Sequence, residues 1–347
     1  MLLVVNAGSS SLKLGLFHGP HQVAQARVDV TADYGAALQA GLAAMGNPVF
    51  LAAAHRVVHG GAALTGPCRI TPAVRAQIAA LVGLAPLHNP AALAGIDVLA
   101  ALHPALPHYA SFDTAFHATN PQVAVRYAIP QADHDAGIRR YGFHGLSYAS
   151  LVSTLRVRGD VPRRLLACHL GNGASLCAIL DGQSVATTMG YSPLDGLTMG
   201  TRAGGIDGNA VLALAARHGL DGAGNVLNRA SGLLALGGSA DMRDTAAQAR
   251  DHFIYWAVRH AGSMVAAMGG VDGVAFTGGI GEHDAGVRGG ILDGLAHLGA
   301  SYMPAANDTH AKHLHDGASH VAIWIVSAQE ERHIAQEAGA VMAAEGR

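Results

Sequence analysis

Two stretches of the chain share one hydrophobic pattern, in which an apolar run of strand length meets small polar residues and a second apolar run follows. The first covers residues 1–17, and the second covers residues 165–180 around Gly171-Asn172-Gly173. The length of the runs and the residues at each apex predict two β-hairpins. Glycines accept positive φ and let a ligand approach the backbone, so such an apex could bind a phosphate-sized anion. One hairpin could be only a surface turn, but the repeat predicts a duplicated nucleotide-binding fold.

The remaining hydrophobic pattern predicts helices that alternate with buried strands. Helices are predicted over residues 32–45, 91–102 and 250–268 and from residue 330 onward, and strands over residues 49–54, 271–276 and 321–326. This mixture is typical of an α/β protein. Because 347 residues are many for one compact core, we predict two lobes around a cleft.

Composition narrows the class of protein. Half of the residues are apolar and 13% are charged, so there is ample material for buried cores. No apolar stretch is long enough to span a bilayer without interruption, and Met1 leads straight into a strand, so we expect a cytoplasmic protein without membrane association. The net charge of −2 gives no electrostatic reason to expect nucleic acid as a partner. The three cysteines are unpatterned and predict no disulfide framework.

Four ionisable residues stand where they could face a cleft. Arg56 ends an apolar strand before a glycine-containing turn, although a surface ion pair would also suit it, and Arg202 is surrounded by small residues. Asp113 has apolar neighbours, so it needs a cationic partner, a Mg²⁺ ion or a wet cleft. His144 lies between glycines and aromatic residues and could donate a hydrogen bond into a pocket or be a packed structural histidine.

Two later segments could contact a nucleotide. Residues 239–244 form a polar turn of the kind that can lie beside a base or ribose. A strand, a glycine turn and a helix follow one another around Gly279, which would present backbone N–H donors at a cleft.

Taken together, eight motifs in order along nearly the whole chain resemble the signature set of the acetate kinases. They are residues 6–13, 55–61, 85–90, 112–117, 141–145, 169–173, 199–202 and 276–282. The resemblance implies a duplicated, actin-like fold of the ribonuclease H type. The first lobe would comprise residues 1–115 and 332–347, and the second, nucleotide-binding lobe residues 116–331. It also implies a homodimer.

The resemblance implies reversible phosphorylation of acetate to acetyl phosphate by ATP, in one in-line step, with Mg²⁺ or alternatively Mn²⁺. Arg56, Asp113, His144 and Arg202 would be the catalytic set. Asn6 and Glu330, with Asp113, would hold or position the metal ion. The acid would be bound by Arg56, Val58, Leu87, His88, Phe143 and Pro193. The nucleotide would be bound by Lys13, His169, Leu170, Gly171, Asn172, Gly173, Asp241, Met242, Arg243, Gly279, Ile280 and Gly281.

Three alternatives remain open from the sequence. A propionate or butyrate kinase of the same family would share these residues and differ in the volume of its acyl pocket. Residues 10–13 read Ser-x-x-Lys, as in serine acylases, but neither lysine of the chain begins a Lys-Thr-Gly motif. A regulatory ATPase of the actin type would be expected to carry a further peptide-binding domain. Dinucleotide-binding and P-loop motifs are absent.

Overall fold

The computed structural model describes residues 1–8, 11–30, 33–86 and 88–346. The strands are β1 Leu2–Ala7, β2 Ser11–His18, β3 His21–Asp29, β4 Ala52–Val57, β5 Cys68–Arg69, β6 His108–Phe112, β7 Arg164–Leu170, β8 Ala174–Leu180, β9 Gln183–Thr187, β10 Gly273–Thr277 and β11 Ala322–Ile325. The helices are α1 Tyr34–Ala44, α2 Pro72–Ala80, α3 Asn89–Leu102, α4 Gln122–Val125, α5 Gln131–Asp135, α6 Gly145–Arg158, α7 Gly208–Arg229, α8 Gly232–Gly237, α9 Ala247–Met268, α10 Gly278–His283, α11 Ala285–Gly294, α12 Pro304–Asp308 and α13 Glu330–Ala344.

The chain divides into two compact units. Unit 1 comprises Met1–Ala118, Gly145–Ser150 and Gln329–Arg347, and unit 2 comprises Thr119–His144 and Leu151–Ala328. These bounds differ from those of the predicted lobes at residues 116–118, 145–150 and 329–331, all of which group with unit 1. The start of α6 does so because the Gly145 N–H donates to the Asp113 carbonyl and Leu146 packs in the unit 1 core.

The two units contain sheets of the same topology. Unit 2 has the order β11-β10-β7-β8-β9, and unit 1 has β6-β4-β1-β2-β3 with β5 added beyond β6. In both, the first three strands are parallel and the next two pairings are antiparallel. The predicted α/β fold with a duplicated lobe is therefore confirmed, as are both hairpins that suggested it.

Alternation along β1 and β4 determines which side chains reach each face of the unit 1 sheet. Leu3 and Val5 pack in the cluster that contains α1 and α3, whereas Val4 packs in the cluster that contains α13. Asn6 follows Val4 by two positions in β1, and Arg56 follows Ala54 by two positions in β4. Both therefore lie on the α13 face of the sheet, near the carboxyl ends of their strands. This position brings them to the first turn of α13.

One prediction for the first lobe needs correction, and one of its strands was missed. The strand predicted over residues 49–54 begins only at Ala52, where pairing with β1 starts, and the preceding Val49 and Leu51 are exposed. The strand β3 was not predicted, because it pairs only with β2 and its alternate residues are polar and exposed.

None of the helices in the described ranges has the length and the apolar run that crossing a bilayer requires.

Candidate active site

Five polar residues of unit 1, here called the Arg56 cluster, lie together: Asn6, Arg56, Asp113 and Glu331 are joined by hydrogen bonds, and Glu330 interacts electrostatically with Arg56, Asp113 and Glu331. Arg56 donates two hydrogen bonds to Asp113, from Nε to Oδ1 at 3.0 Å and from Nη2 to Oδ2 at 2.5 Å. Its Nη1 also donates to Asn6 Oδ1 at 3.2 Å, and Asn6 Nδ2 donates to Glu331 Oε1 at 3.0 Å. Asp113 is almost fully buried and has the cationic partner that its apolar surroundings demand.

Negative charge is crowded in this cluster. Burial and the nearby carboxylates of Asp113 and Glu331 raise the pKa of Glu330, although Arg56 and Lys13 act against them. Burial alone would lower the pKa of Arg56, but the surrounding carboxylates outweigh it and the pKa is raised. The carboxylates therefore hold the guanidinium firmly charged.

The Arg56 cluster also has the kind of side chains that can hold a divalent metal ion. No three His, Cys, Asp or Glu side chains of the described residues form a ready-made metal cage. Mg²⁺ usually needs only one or two carboxylates, because waters and substrate phosphates complete its octahedron. The carboxylates of Glu330 and Asp113 repel each other, and a divalent cation bound near both would reduce that repulsion.

Side-chain hydrogen bonds fix the loop that follows β4. Asn89 bonds His59 reciprocally, accepting from its N–H and donating to its carbonyl, both at 3.1 Å. The Gly60 N–H donates to Thr114 Oγ1 at 3.1 Å. Val58 lies buried in this loop, and His88 lies directly before α3 and is half-buried. Leu87, predicted to contact the acid, lies outside the described residues.

In unit 2, His144 is held in an unusual backbone conformation immediately before α6. Its φ of 59° is left-handed, which is uncommon for a residue with a side chain. The ring stacks on His169 with centroids 4.0 Å apart, and Nδ1 lies 2.8 Å from Ser175 Oγ. His144 is thus oriented from two sides by the β7–β8 hairpin.

Arg202 is a half-buried cation of unit 2 that the structure places among uncharged groups. Its Nη1 donates to the Pro193 carbonyl at 2.9 Å and contacts Met199 Sδ at 3.4 Å. None of the ion pairs formed by the described residues includes Arg202. Burial lowers the pKa of Arg202, as expected for a desolvated cation without a counter-charge. An anion would supply that charge.

Arg202 and His144 approach the same point beside the hairpin apex. A Cβ added to Gly173 would lie 3.2 Å from His144 Nε2 and 3.6 Å from Arg202 Nη1. Two donor-bearing groups therefore adjoin the backbone of one glycine. The apex itself is a tight turn, with the Gly171 N–H bonded to the Gly173 carbonyl at 3.1 Å.

A pocket of about 660 Å³ opens on the other side of this apex. It is lined by Gly171, Asn172, Ala240, Asp241, Met242, Arg243, Gly279, Ile280, His283 and Asp284. Its volume falls within the range of small-molecule and cofactor sites. Residues 241–243 and residues 279 and 280 of the two predicted nucleotide segments thus meet the hairpin apex at one cavity, whereas Gly281 is buried and does not line it.

Individual residues shape this pocket in different ways. Arg243 and Asp241 form an exposed pair, in which the hydrogen bonds from Arg243 lower the pKa of Asp241. A Cβ at Gly279 would meet no heavy atom within 4 Å, so Gly279 faces open space. The side chain of Leu170 is fully buried in its strand, which leaves only its backbone for ligand contact.

The structure groups the predicted site residues by unit. Unit 1 holds Asn6, Lys13, Arg56, Val58, His88, Asp113 and Glu330, and unit 2 holds Phe143, His144, His169, Leu170, Gly171, Asn172, Gly173, Pro193, Arg202, Asp241, Met242, Arg243, Gly279, Ile280 and Gly281. Lys13 lies directly opposite Asn6 in the β1–β2 ladder.

Sequence reasoning missed three supporting residues. Glu331, in the first turn of α13, accepts a hydrogen bond from Asn6. Ser175 was not predicted as the partner of His144, nor Asn89 as the partner of His59. All three contacts join residues at least 30 positions apart. The hairpin register could have placed Ser175 opposite His169, but no local signal locates His144 beside them.

Comparison with known proteins identifies the family. A family model described as the Acetokinase family matches residues 47–336. An acetate kinase from Rhodopseudomonas palustris is 38% identical over 385 aligned residues, covering 97% of each chain, and one from Nitrobacter hamburgensis is 43% identical over 298 residues, covering 82% of this chain and 74% of the relative.

Solved structures are similar over almost the whole chain. The acetate kinase of Porphyromonas gingivalis has a TM-score of 0.89 and 30% identity, covering 98% of this chain and 99% of that one. A propionate kinase from Francisella tularensis has a TM-score of 0.90 and 33% identity, with coverage of 97% and 98%. With this agreement in sequence and in fold, the chain belongs to the Acetokinase family and is a kinase.

Proposed function

We propose that this kinase transfers the γ-phosphoryl group of ATP to the carboxylate of acetate and produces acetyl phosphate and ADP reversibly. In the forward direction an acetate oxygen forms the new P–O bond while the bond to the ADP oxygen breaks and ADP leaves with the electron pair. The observation that carries the proposal is the Arg202 guanidinium, which forms no ion pair with a carboxylate in the described part of the chain and adjoins His144 at Gly173.

Phosphoryl transfer needs positioning and charge stabilisation more than covalent help. Acetate is already a nucleophile, so no general base is required. Arg202 would donate to the oxygens of the transferred group, where charge-assisted hydrogen bonds are strongest. His144 would donate from Nε2 to the same group.

In unit 1, Arg56 would orient the acid through its carboxylate. Asp113 and Asn6 hold three of its N–H groups, so the guanidinium plane is fixed before a ligand arrives. Val58, Leu87, Phe143 and Pro193 would form the small apolar pocket for the methyl group, with His88 as a further contact.

The family implies ATP as a substrate and a divalent metal ion. Asn6, Asp113 and Glu330 would hold the ion or the waters around it, and we propose Mg²⁺, with Mn²⁺ as an alternative. When bound, the ion would neutralise phosphate charge. Glu331 would keep Asn6 oriented by its hydrogen bond to the amide.

The nucleotide would occupy the cavity of about 660 Å³. We propose that residues 169–173 and Lys13 contact the phosphates, and that residues 241–243 and 279–281 contact the adenosine. The backbone N–H groups and the absent side chains at the glycines suit close approach by anionic oxygens.

The test is a hydroxamate assay of the purified protein with ATP, Mg²⁺ and acetate, propionate or butyrate. We expect the highest kcat/KM with acetate. Absence of acyl phosphate with all three acids would refute the proposal, and labelling by an acyl-serine probe would instead support the serine acylase alternative. Repeating the assay with Mn²⁺ determines the choice of ion.

Propionate kinase activity is the second candidate function. It is favoured by the likeness to the propionate kinase of Francisella tularensis, which matches the fold as closely as the acetate kinases do. A kcat/KM that is higher for propionate than for acetate in the same assay would establish it.

We further propose a homodimer located in the cytoplasm; light scattering of the purified protein tests the dimer.

A further inference from the structure

We infer that Ser175 is a positioning residue for His144: its hydroxyl donates to Nδ1 and thereby keeps the hydrogen of the neutral imidazole on Nε2. The inference rests on the proposed function, because it concerns how His144 meets a phosphoryl group. It assigns a role to a residue that neither the motifs nor the family resemblance singled out.

The first observation is the placement of the serine. Ser175 is fully buried in β8 and lies directly opposite His169 in the β7–β8 ladder. The His144 ring stacks on His169 with an interplanar angle of 24°, which brings its Nδ1 to 2.8 Å from Ser175 Oγ. One rung of the hairpin therefore supplies both the surface under the ring and the partner at its edge.

The second observation is the direction of the other ring nitrogen. Nε2 and Cε1 would lie 3.2 Å and 3.4 Å from a Cβ added to Gly173, and Arg202 Nη1 would lie 3.6 Å from the same point. With Nδ1 engaged at the serine, Nε2 is directed toward the side on which Arg202 offers its guanidinium. The ring therefore has one supporting edge and one edge toward the proposed phosphoryl position.

Hydrogen-bond chemistry then selects the tautomer. Neutral imidazole has one N–H donor and one acceptor nitrogen, and the partner of one nitrogen decides the state of the other. Phosphoryl oxygens only accept hydrogen bonds, so Nε2 must carry the hydrogen to bind them. A serine hydroxyl can donate to the unprotonated Nδ1 that this tautomer requires, whereas the opposite tautomer would turn a lone pair toward an anion.

The direct test is nitrogen NMR of the wild-type protein with ¹⁵N-labelled histidine, at a pH where the imidazoles are neutral. The His144 signals are assigned by their loss in His144→Gln. We expect an unprotonated Nδ1 and a protonated Nε2, and a shift toward the other tautomer in Ser175→Ala. A wild-type ring with its hydrogen on Nδ1 would overturn the inference, whether or not the protein makes acetyl phosphate.

A double-mutant cycle measures the effect on the reaction. Loss of one such hydrogen bond should lower kcat about tenfold in Ser175→Ala, with KM for ATP and acetate changed less than about twofold. In a His144→Ala background the same substitution should have no further effect. An equal loss of kcat in both backgrounds would show a merely structural role and overturn the inference.

Ser184→Ala is the matched control. Ser184 is another fully buried strand serine of unit 2, and its hydroxyl lies 3.3 Å from Cys177 Sγ. The Ser184→Ala substitution should leave kcat within about twofold of the wild-type value. If the wild-type protein forms no acyl phosphate at all, the proposed function fails, and the NMR measurement alone decides the tautomer.

Discussion

Arg56 and Arg202 appear in similar sequence surroundings, yet the structure gives them opposite electrostatic situations. Arg56 is held by Asp113 and Asn6, and neighbouring carboxylates raise its pKa. Arg202 contacts a carbonyl and a thioether, and burial lowers its pKa. A guanidinium held by a carboxylate can orient a ligand, whereas a half-buried guanidinium that forms no ion pair among the described residues gains most from an anion.

Removing the Arg202 guanidinium should therefore affect the reaction far more than the fold. We expect Arg202→Ala to lower kcat by about 10³- to 10⁵-fold, the range observed for arginines that stabilise phosphoryl transfer. Steady-state acetyl phosphate formation measures kcat, and circular dichroism checks the fold. Arg75→Ala removes an exposed arginine of α2, paired with Asp97, and serves as control. Turnover near wild type in Arg202→Ala would contradict the assignment.

Glu330 should control the dependence on the metal ion. Glu330→Gln removes the charge that is crowded against Asp113, so a divalent cation gains less by binding. We expect the Mg²⁺ concentration for half-maximal rate to rise about 10- to 100-fold. A Mg²⁺ titration at saturating ATP and acetate measures it, with Asp97→Asn as an exposed carboxylate control. An unchanged titration midpoint would remove Glu330 from the metal site.

At the scale of elements, α13 links the end of the chain to the first unit. The helix dipole favours acidic residues at its start, where Glu330 and Glu331 stand. The structure adds a packing role, because Ile334, Ala335 and Ala338 are buried with Val4 and Ala54 of the unit 1 sheet. The helix thus both completes a core and delivers Glu330 and Glu331 to the Arg56 cluster.

Weakening that packing should destabilise unit 1. Ile334 is fully buried, so Ile334→Ala should reduce the free energy of unfolding by about 2–5 kcal/mol through lost transfer energy and a cavity. Urea denaturation followed by circular dichroism measures the change. Val157→Ala, on an exposed position of α6, should change stability by less than about 0.5 kcal/mol. Equal effects of the two variants would argue against the packing of α13.

At the scale of the whole molecule, buried histidines should make folding sensitive to acid. Burial lowers the pKa of His59 to about 4. Burial also lowers the pKa of His55 and of His108, whose rings are joined by a 2.9 Å contact between Nε2 and Nδ1. The folded protein keeps these imidazoles neutral, while the unfolded chain protonates them below about pH 6.5. The unfolded state therefore binds more protons as the pH falls.

We accordingly expect stability to fall as the pH decreases from about 6.5 toward about 4, because the folded pKa values lie below the unfolded ones. Glu330, whose pKa is raised, acts in the opposite direction. Urea unfolding measured near neutral pH and at about pH 5 tests this. The double variant His55→Leu/His108→Leu should show a shallower dependence. Stability that rises on acidification, or a variant with an unchanged slope, would contradict the argument.

Local chemistry was enough to predict much of this protein. Strand-length apolar runs and the glycines between them predicted both hairpins, and the order of the motifs identified the family, because these signals depend on neighbouring residues. The weakly patterned edge strand β3 and the true start of β4 were not predicted from the sequence, because the pairing of β3 with β2 and of β4 with β1 decides them.

The contacts inside the site depend on tertiary structure alone. Asn6 contacts Glu331, which lies 325 positions away in the sequence, and His144 contacts Ser175, which lies 31 positions away. Local sequence patterns, which extend over a helix or a hairpin, therefore predict neither contact. The sequence determined which side chains are available and on which elements they stand. Only the pairing of β4 with β6 decided that Asp113 neutralises Arg56, because ion pairing depends on distance in space. Tertiary structure likewise decided that Arg202 contacts a carbonyl and a thioether and enters none of the ion pairs among the described residues.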